Sequence, residues 1–591
     1  MLKNHPKGLM VAFFANMGER FGFYTMMACL VFFLQSRYDL SATEAGTWYS
    51  WFYFSIYALA LLGGIIADTT QKYKTVILVG ILTMLGGYVL MATPGLTLNF
   101  SLLALLIIAL GNGLFKGNLQ ALVGQMYDAP EYAHLRDSAF SIFYMGINVG
   151  AFFAPSAANG IRNWYLSTKG FTYDADLASL CNQYIGGRLH DVAPLQQLAA
   201  KATHANITDL MAFSKHYIDA FATGYNYAFG VAAGAMIISL LVYIFFMKKL
   251  PTKAKKAKTE GQNLGKLAMV AVWAILGAAI LGAVTYFISF QIDIAFAFGL
   301  FGAFVGGSFK MSTKEERPRV VALMLVFLVV MFFWMSFHQN GLTLSFFARD
   351  YVAKTVAPIT YLFFDIKSLL TVIAAIFGIV LLVKRKSTTT QRGIGALLLA
   401  VGGGLSYWMY SKFTAQNAIE PEIFQQFNPI FIVFLTPLVV GFFAWLNARK
   451  KEPSTPKKIG IGMILAAAGF VVVLFASLAL QSPHSLAGAP TPDRISPYWL
   501  ISTYFVLTIA ELFLSPMGIS FVSKVAPARF QGLMQGGWLL ATALGNKLLV
   551  VGSIMWDKIE LWQLWAIFVV CCLISAAFIF SIMKRLQKVT S

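Results

Sequence analysis

Long apolar runs separated by short polar connectors dominate the chain. Taken as helices of the roughly 20 residues that a bilayer requires, they fall at 8–36, 46–68, 74–93, 98–124, 137–161, 222–247, 266–289, 292–309, 320–346, 359–383, 393–411, 427–447, 459–480, 497–522, 530–556 and 562–583. Sixteen spans are therefore expected, an even number that puts both termini on one side. Period-two alternation is too weak for a β-barrel.

Composition agrees with an all-α polytopic membrane protein. The 591 residues are 58% hydrophobic and 12% charged, where a soluble chain carries about 25% charge. Intrinsic disorder is excluded by the same apolar content. The four cysteines, Cys29, Cys181, Cys571 and Cys572, offer no disulfide framework and no C-x-x-C metal spacing. No metal and no cofactor is expected.

The net charge of +20 would suggest nucleic acid in a soluble protein. Its placement says otherwise. Alternate loops hold most of the Lys and Arg: seven in 248–266, four in 310–319, four in 384–392 and five in 448–458. Cytoplasmic loops carry this excess, so both termini are expected inside, and no nucleic-acid partner is implied. Met1–Gly8 leads straight into a span too long for a signal peptide. The run Lys248–Lys258 could also meet acidic lipid headgroups. The polar segment 162–221 is expected outside, helical at 192–220, capping the mouth or binding a partner. It holds the sequon Asn206-Ile207-Thr208.

A charge at the bilayer centre costs about 2.5–3.5 kcal/mol on insertion scales. Five residues carry that cost: Glu19, Arg20, Lys116, Glu511 and Lys547. Asp293, Asp365, Arg349 and Lys367 stand near span ends and are expected to snorkel. Asn16, Arg20, Tyr24 and Met27 share one face of the first span, with Glu19 beside it. Asn112 and Lys116, Tyr144 and Asn148, and Glu511 and Ser515 are each four apart. Polar groups at mid-depth in several spans are the placement of a transporter site, although an ion pair that fixes helix packing would use the same residues. An enzyme is not expected. His338, the one histidine in a span, has no acid within that span to orient it, and neither H-E-x-x-H nor G-x-S-x-G occurs. A passive channel is the other alternative to a carrier.

Several stretches together resemble the proton-dependent oligopeptide transporters of the major facilitator superfamily. Phe143-Tyr144-Met145-Gly146-Ile147-Asn148-Val149-Gly150 is similar to that family's F-Y-x-x-I-N-x-G signature. Gly63-Gly64-Ile65-Ile66-Ala67-Asp68 resembles its G-G-x-x-A-D turn, followed by Lys72 and Lys74. Gly113-Leu114-Phe115-Lys116-Gly117-Asn118 resembles G-x-x-K-P-N, with Gly117 in place of proline. Glu511-Leu512, Ser515-Pro516, Lys524 to Pro527 and Trp538 resemble its tenth and eleventh helices. Asn428-Pro429 resembles the start of the eighth, and Trp334 and Gln339 sit as in the seventh.

The resemblance implies a major facilitator fold: two six-helix halves, formed by spans 1–6 and by spans 9 and 12–16, plus two inserted helix pairs. The implied divisions are 1–247, 248–319 (basic linker and first inserted pair), 320–358, 359–415 (second inserted pair) and 416–591. The short 481–496 loop favours a bacterial inner-membrane member.

Tyr24, Tyr57, Lys116, Asn148, Asn428, Glu511, Ser515 and Trp538 match the family's substrate-binding positions. Glu19, Arg20, Lys116 and Glu511 match its proton-coupling and gating positions. The implied activity is proton-coupled uptake of di- and tripeptides by alternating access. Lys116 would grip the peptide carboxylate and Glu511 its amino group. Three positions depart from the pattern: Asn16 replaces the first acid of E-x-x-E-R-F, Phe23 replaces a tyrosine, and Met27 replaces an arginine. They motivate an alternative, a carrier of another amphiphilic or anionic solute with altered coupling. Lys116 also loses an anionic neighbour at Asn16, leaving Glu19 as its nearest candidate partner.

Overall fold

Lipid offers the backbone no hydrogen bonds, so each spanning segment must satisfy its own amides as a helix. The computed structural model describes residues 5–251, 264–384, 387–527 and 531–590. Most of the basic run Lys248–Lys258 lies outside the described residues, as do Arg385 and Lys386 of the 384–392 loop. Sixteen helices among the described residues are long and apolar enough to cross a membrane.

The first half comprises α1 (Gly8–Tyr38), α2 (Ala42–Thr70), α3 (Tyr73–Met91), α4 (Leu98–Gln125) and α5 (Arg136–Thr168). Two short helices, α6 (Leu177–Ile185) and α7 (Ala193–Thr203), then precede α8 (Leu210–Phe246). A first inserted pair follows, α9 (Leu264–Ser289) and α10 (Ile292–Met311). The second half opens with α11 (Arg317–Phe337) and α12 (Thr343–Tyr351). The second inserted pair is α13 (Ile366–Val383) and α14 (Thr389–Lys412). The half continues with α15 (Phe427–Ala448), α16 (Thr455–Ser477), α17 (Pro497–Val525), α18 (Gln531–Lys547), α19 (Val550–Trp556) and α20 (Leu561–Ser581).

Local chemistry sets several of the boundaries. Ser41 and Glu44 form a capping box at the start of α2, and Thr388 and Gln391 form another at α14. Small residues set how closely helices approach. A Cβ on Gly63 of α2 would strike the backbone carbonyl of Gly113 on α4, which is why the glycines around Lys116 matter. Within each half, α1 packs on α5 and α8, and α16 packs on α17 and α20. The halves meet where α2 lies along α18 and where α5 meets the entrance of α15.

Both inserted pairs sit on the outside of this body. None of the apolar stretch of α9 is fully buried: one side packs on α10 and the rest is left for lipid. α10 lies between α9 and the bundle, against α18 and α11. The α13–α14 pair is tied in by a two-residue antiparallel strand pair, β1 (Thr355–Val356) with β2 (Asn417–Ala418).

Several boundaries differ from the sequence expectation. α5 runs on to Thr168 and α8 starts at Leu210, so the connector is 169–209. It forms a cap that includes α6 and α7, and the expected helix at 192–220 is interrupted at His204, which is left-handed. The polar start of α8 is helical because Phe213, Ser214 and Tyr217 are buried there. The span at 320–346 is broken: α11 ends at Phe337, a tight turn covers His338–Gly341, and α12 follows. The tenth span starts at Ile366, not 359, because the Asp365 carboxylate accepts from the Ser368 amide at 2.8 Å and caps the helix. The fifteenth divides into α18 and α19.

Candidate functional site

One end of the molecule, hereafter the cap end, carries the 169–209 segment; the basic loops stand at the other. Between the halves lies a cleft with opposite charges on its two walls. On the first-half wall, Glu19 and Arg20 of α1 pair with each other. Arg20 Nε stands 2.5 Å from Glu19 Oε2, and Nη2 donates to Oε1 at 2.7 Å. Asn112 of α4 adds a third donor to Glu19 at 2.5 Å. Glu19 is fully buried and Arg20 nearly so.

Glu19 acts on Lys116 electrostatically, but not as a direct ion pair. The Glu19 oxygens are engaged by Arg20 and Asn112, and no ion pair joins Glu19 to Lys116. The half-buried Lys116 instead lies over the face of Tyr57 from α2, with Nζ 4.0 Å from the ring centroid. No carboxylate is within ion-pair distance of it among the described residues.

The second-half wall mirrors this arrangement with the opposite sign. Glu511 of α17 accepts from Asn428 Nδ2 of α15 at 2.9 Å, and Asn428 also donates to Thr508 at 3.1 Å. No cation pairs with Glu511 among the described residues. Tyr24 and Tyr57 lie within electrostatic reach of both the Glu19–Arg20 pair and Glu511. Asn148 of α5 donates to the Tyr144 carbonyl one turn back, leaving its side-chain oxygen for another group. Ser515 is half-buried one turn from Glu511.

Trp538 is the matched position set furthest back. Only 4% exposed, it packs its ring against Gly518 of α17 and meets Phe327 of α11 edge to face, so it props the wall. The altered positions are buried too. Asn16 donates to the Phe143 carbonyl of α5 at 3.4 Å. Phe23 meets Tyr24 edge to face and lies tilted against Tyr53, and Met27 sits in the apolar core.

His338 occupies the break between α11 and α12. Its Nδ1 donates to Asn546 at 2.5 Å, and its ring lies 4.7 Å from Trp334 and 4.6 Å from Tyr53 across the seam. Lys547 pairs with Asp293 of the inserted pair at 2.6 Å. Asp293, expected to snorkel, thus has an ionic partner, and Arg349 likewise binds Asp350 and Gln35.

The cap end is held shut by ion pairs that the sequence reading missed. Arg162 of α5, wholly buried, pairs with the equally buried Glu422 at the entrance of α15. Tyr225 joins them, accepting from Arg162 at 3.0 Å and donating to Glu422 at 2.8 Å. Glu420 stands 3.6 Å from the same guanidinium. Burial pushes the Glu420 carboxyl above its ordinary range; Arg162 opposes the shift and Glu422 adds to it. Above this cluster, Asp174 and Asp176 of the cap reach the second half. Lys354 lies 2.7 and 2.6 Å from them, and Arg494 meets both Asp176 oxygens at 3.0 Å. A cavity of about 410 Å³ beneath the cap is lined in part by Gln35, Glu44, Arg188 and Arg349, apart from the Lys116–Glu511 cleft. The missed signal was a polar stripe, Asn159 and Arg162 continuing the face of Pro155.

At the opposite end the walls part. Tyr144 and Met145 of α5 and Ile519 of α17 are 40%, 49% and 39% exposed. Tyr144 is on the face of Asn148 and Ile519 on the face of Glu511 and Ser515, so the cleft opens towards the basic loops.

Two helical halves closed at one end and parted at the other, around a polar cleft at mid-depth, are the architecture of a major facilitator transporter. The particular family follows from comparison. The POT family model (PTR2) matches residues 73–390 and 407–562, and the chain belongs to that family. It is 25% identical over 589 residues to the peptide transporter YePEPT of Yersinia enterocolitica, covering 94% of this chain and 89% of that one. It is 24% identical over 572 residues to the uncharacterized transporter YclF of Bacillus subtilis, with the same coverage. Among solved structures, a peptide transporter POT variant in complex with alafosfalin superposes with a TM-score of 0.66 at 22% identity, covering all of this chain and 96% of that one. A POT family transporter in complex with 5-aminolevulinic acid gives 0.65 at 21%, covering all of this chain and 98% of that one.

Proposed function

We propose that this protein is a secondary carrier that takes up di- and tripeptides with protons, by alternating access. One observation carries the reading: Lys116 and Glu511, of opposite charge and on opposite halves, each have no direct ion-pair partner among the described residues. A zwitterion supplies both missing charges. Its carboxylate would meet Lys116 and its amino group Glu511, while Asn148 and Asn428 would bond the peptide backbone whatever its side chains. The relatives support the same substrate class. The Yersinia protein is named a peptide transporter, and an Enterobacter relative 24% identical is named dipeptide and tripeptide permease A.

The Lys- and Arg-rich loops support cytoplasmic termini with the cap outside, and the short 481–496 loop supports a bacterial inner membrane. The cleft then faces inward. Bridging of Lys116 and Glu511 by substrate draws the inner ends together, and the cap-end ion pairs must break for the outer mouth to open. Coupling rests on Glu511 and on the Glu19–Arg20 pair, because Asn16 cannot titrate. Each positive charge carried inward gains about 2.3 kcal/mol per 100 mV.

Uptake of labelled dialanine into proteoliposomes tests the reading, with and without an imposed inward proton gradient. Acceleration by the gradient and competition by unlabelled peptides are expected. Uptake indifferent to both gradient and potential overturns the coupling, and failure of peptides to compete overturns the substrate class.

A further inference from the structure

Lys547 has no solvent exposure, yet it belongs to neither wall of the cleft. Its ammonium stands where three bodies meet. On α18 of the second half, it lies 2.6 Å from Asp293 of the inserted helix α10. It also lies 4.6 Å from the ring centroid of Trp51 and 3.4 Å from Ser50 Oγ, both on α2 of the first half. The neighbouring residue, Asn546, accepts from His338 at the break in α11–α12. The Lys547 head thus bridges the α2–α18 seam and adjoins the irregular turn of the second half.

The inserted helix is attached asymmetrically to that seam. Phe304 of α10 packs against Phe327 of α11 and Gly537 of α18, both in the second half. Its link to the first half is lighter: Phe296 lies 6.3 Å from Trp51. This attachment would carry α10 with α18 if the halves move apart, keeping Asp293 with Lys547 as Ser50 and Trp51 withdraw. Asp293 is also in the first turn of α10, where the helix dipole favours a carboxylate.

A packing role alone does not require this pair. α9 and α10 already hold each other through glycines, Gly277 against the Gly302 backbone and Gly306 against the Trp273 carbonyl. An ion pair with Lys547 buried and Asp293 26% exposed is commonly no more stabilising than apolar packing, and an ionisable residue inside a membrane is by default functional.

We propose that Asp293 is a positioning residue of the transport cycle: it keeps Lys547 charged while α2 leaves it, so the inserted pair governs how readily the seam parts. The proposal rests on the transport reading above. It makes α9–α10 a working part of the carrier rather than a peripheral hairpin.

The test is uptake of labelled dialanine by the full-length chain in proteoliposomes, with thermal unfolding measured in parallel. Asp293→Asn is expected to lower turnover about tenfold or more while KM stays within about twofold, the signature of a lost step rather than lost binding. Asp293→Glu should recover most of the turnover. The double variant Asp293→Asn with Lys547→Gln removes the stranded charge, so it should regain wild-type thermal stability but not wild-type turnover. Wild-type turnover in Asp293→Asn overturns the proposal. So does a double variant that regains turnover together with stability, because the pair would then be structural only. Absence of uptake by the unmodified chain overturns the transport reading itself, and is distinguishable because it precedes any substitution.

Discussion

Lys116 stands 4.0 Å above the ring of Tyr57, a cation resting on an aromatic face where an ion pair would be expected. The contact holds the ammonium without neutralising it, so a carboxylate from outside the protein can still claim it. A hydrogen bond to a charged group contributes about 1.5–3 kcal/mol. Lys116→Ala should therefore raise the half-saturating dipeptide concentration by about 10- to 100-fold, read by uptake competition. Tyr57→Phe keeps the ring face and should change it by less than about threefold.

Glu511 and Asn428 make the matching prediction for the amino terminus. Glu511→Gln keeps a carbonyl oxygen for the Asn428 donor but removes the charge. Free dipeptides should lose affinity by about tenfold or more, by the same charge-assisted term. N-acetylated dipeptides, with no ammonium group, should compete equally well with both forms. Equal losses for both ligands would place the amino group elsewhere.

The Arg162–Glu422 pair should control the outer mouth. Removing one partner of a buried pair costs about 3–5 kcal/mol because the other charge is stranded. Glu422→Gln should therefore weaken the closed cap end. With cysteine placed at Asn159, which is 2% exposed in this state, labelling by a membrane-impermeant maleimide from the outer side should rise several-fold.

Glu420 gives that closure a pH dependence with a definite sign. Its carboxyl is raised in the closed state by burial, partly offset by Arg162. The closed state therefore binds the proton more tightly than the open, hydrated one. Closure is favoured at low pH, and this contribution is lost as pH rises from the ordinary value of 4.5 through the raised one. Labelling at Asn159→Cys should increase across that window, and Glu420→Gln should flatten the increase.

Much of this arrangement could be seen in the chain because a charge inside an apolar run is conspicuous. Glu19, Arg20, Lys116 and Glu511 stood out on that ground, and the structure gathers them around one cleft. Partners were harder to see than charges. Asp293 pairs with a lysine far along the chain, and at a span end it has the pattern of a group reaching for water. Arg162 and Glu422 fell just outside the apolar windows at 161 and 427. Their burial comes from the cap and from the facing half, which local hydropathy does not record. The break at His338–Gly341 was hidden because its flanks are apolar on both sides, and it is held by contacts to Asn546 and Tyr53 rather than by a proline. Trp538 could be assigned to the wall, but its depth depends on Gly518, a residue on another helix.

The described ion pairs that join the two halves stand at the cap end, while the basic end is parted. With the basic end cytoplasmic, as proposed above, an empty carrier resting in that state meets the cytosol first. Peptide already accumulated inside can reload it before the outer mouth reopens, and this makes the internal pool a brake on net gain. The same reloading would hasten one-for-one exchange across the membrane. A cell that hydrolyses imported peptides quickly would release the brake, and its peptidases, as much as its proton gradient, would set how far uptake proceeds.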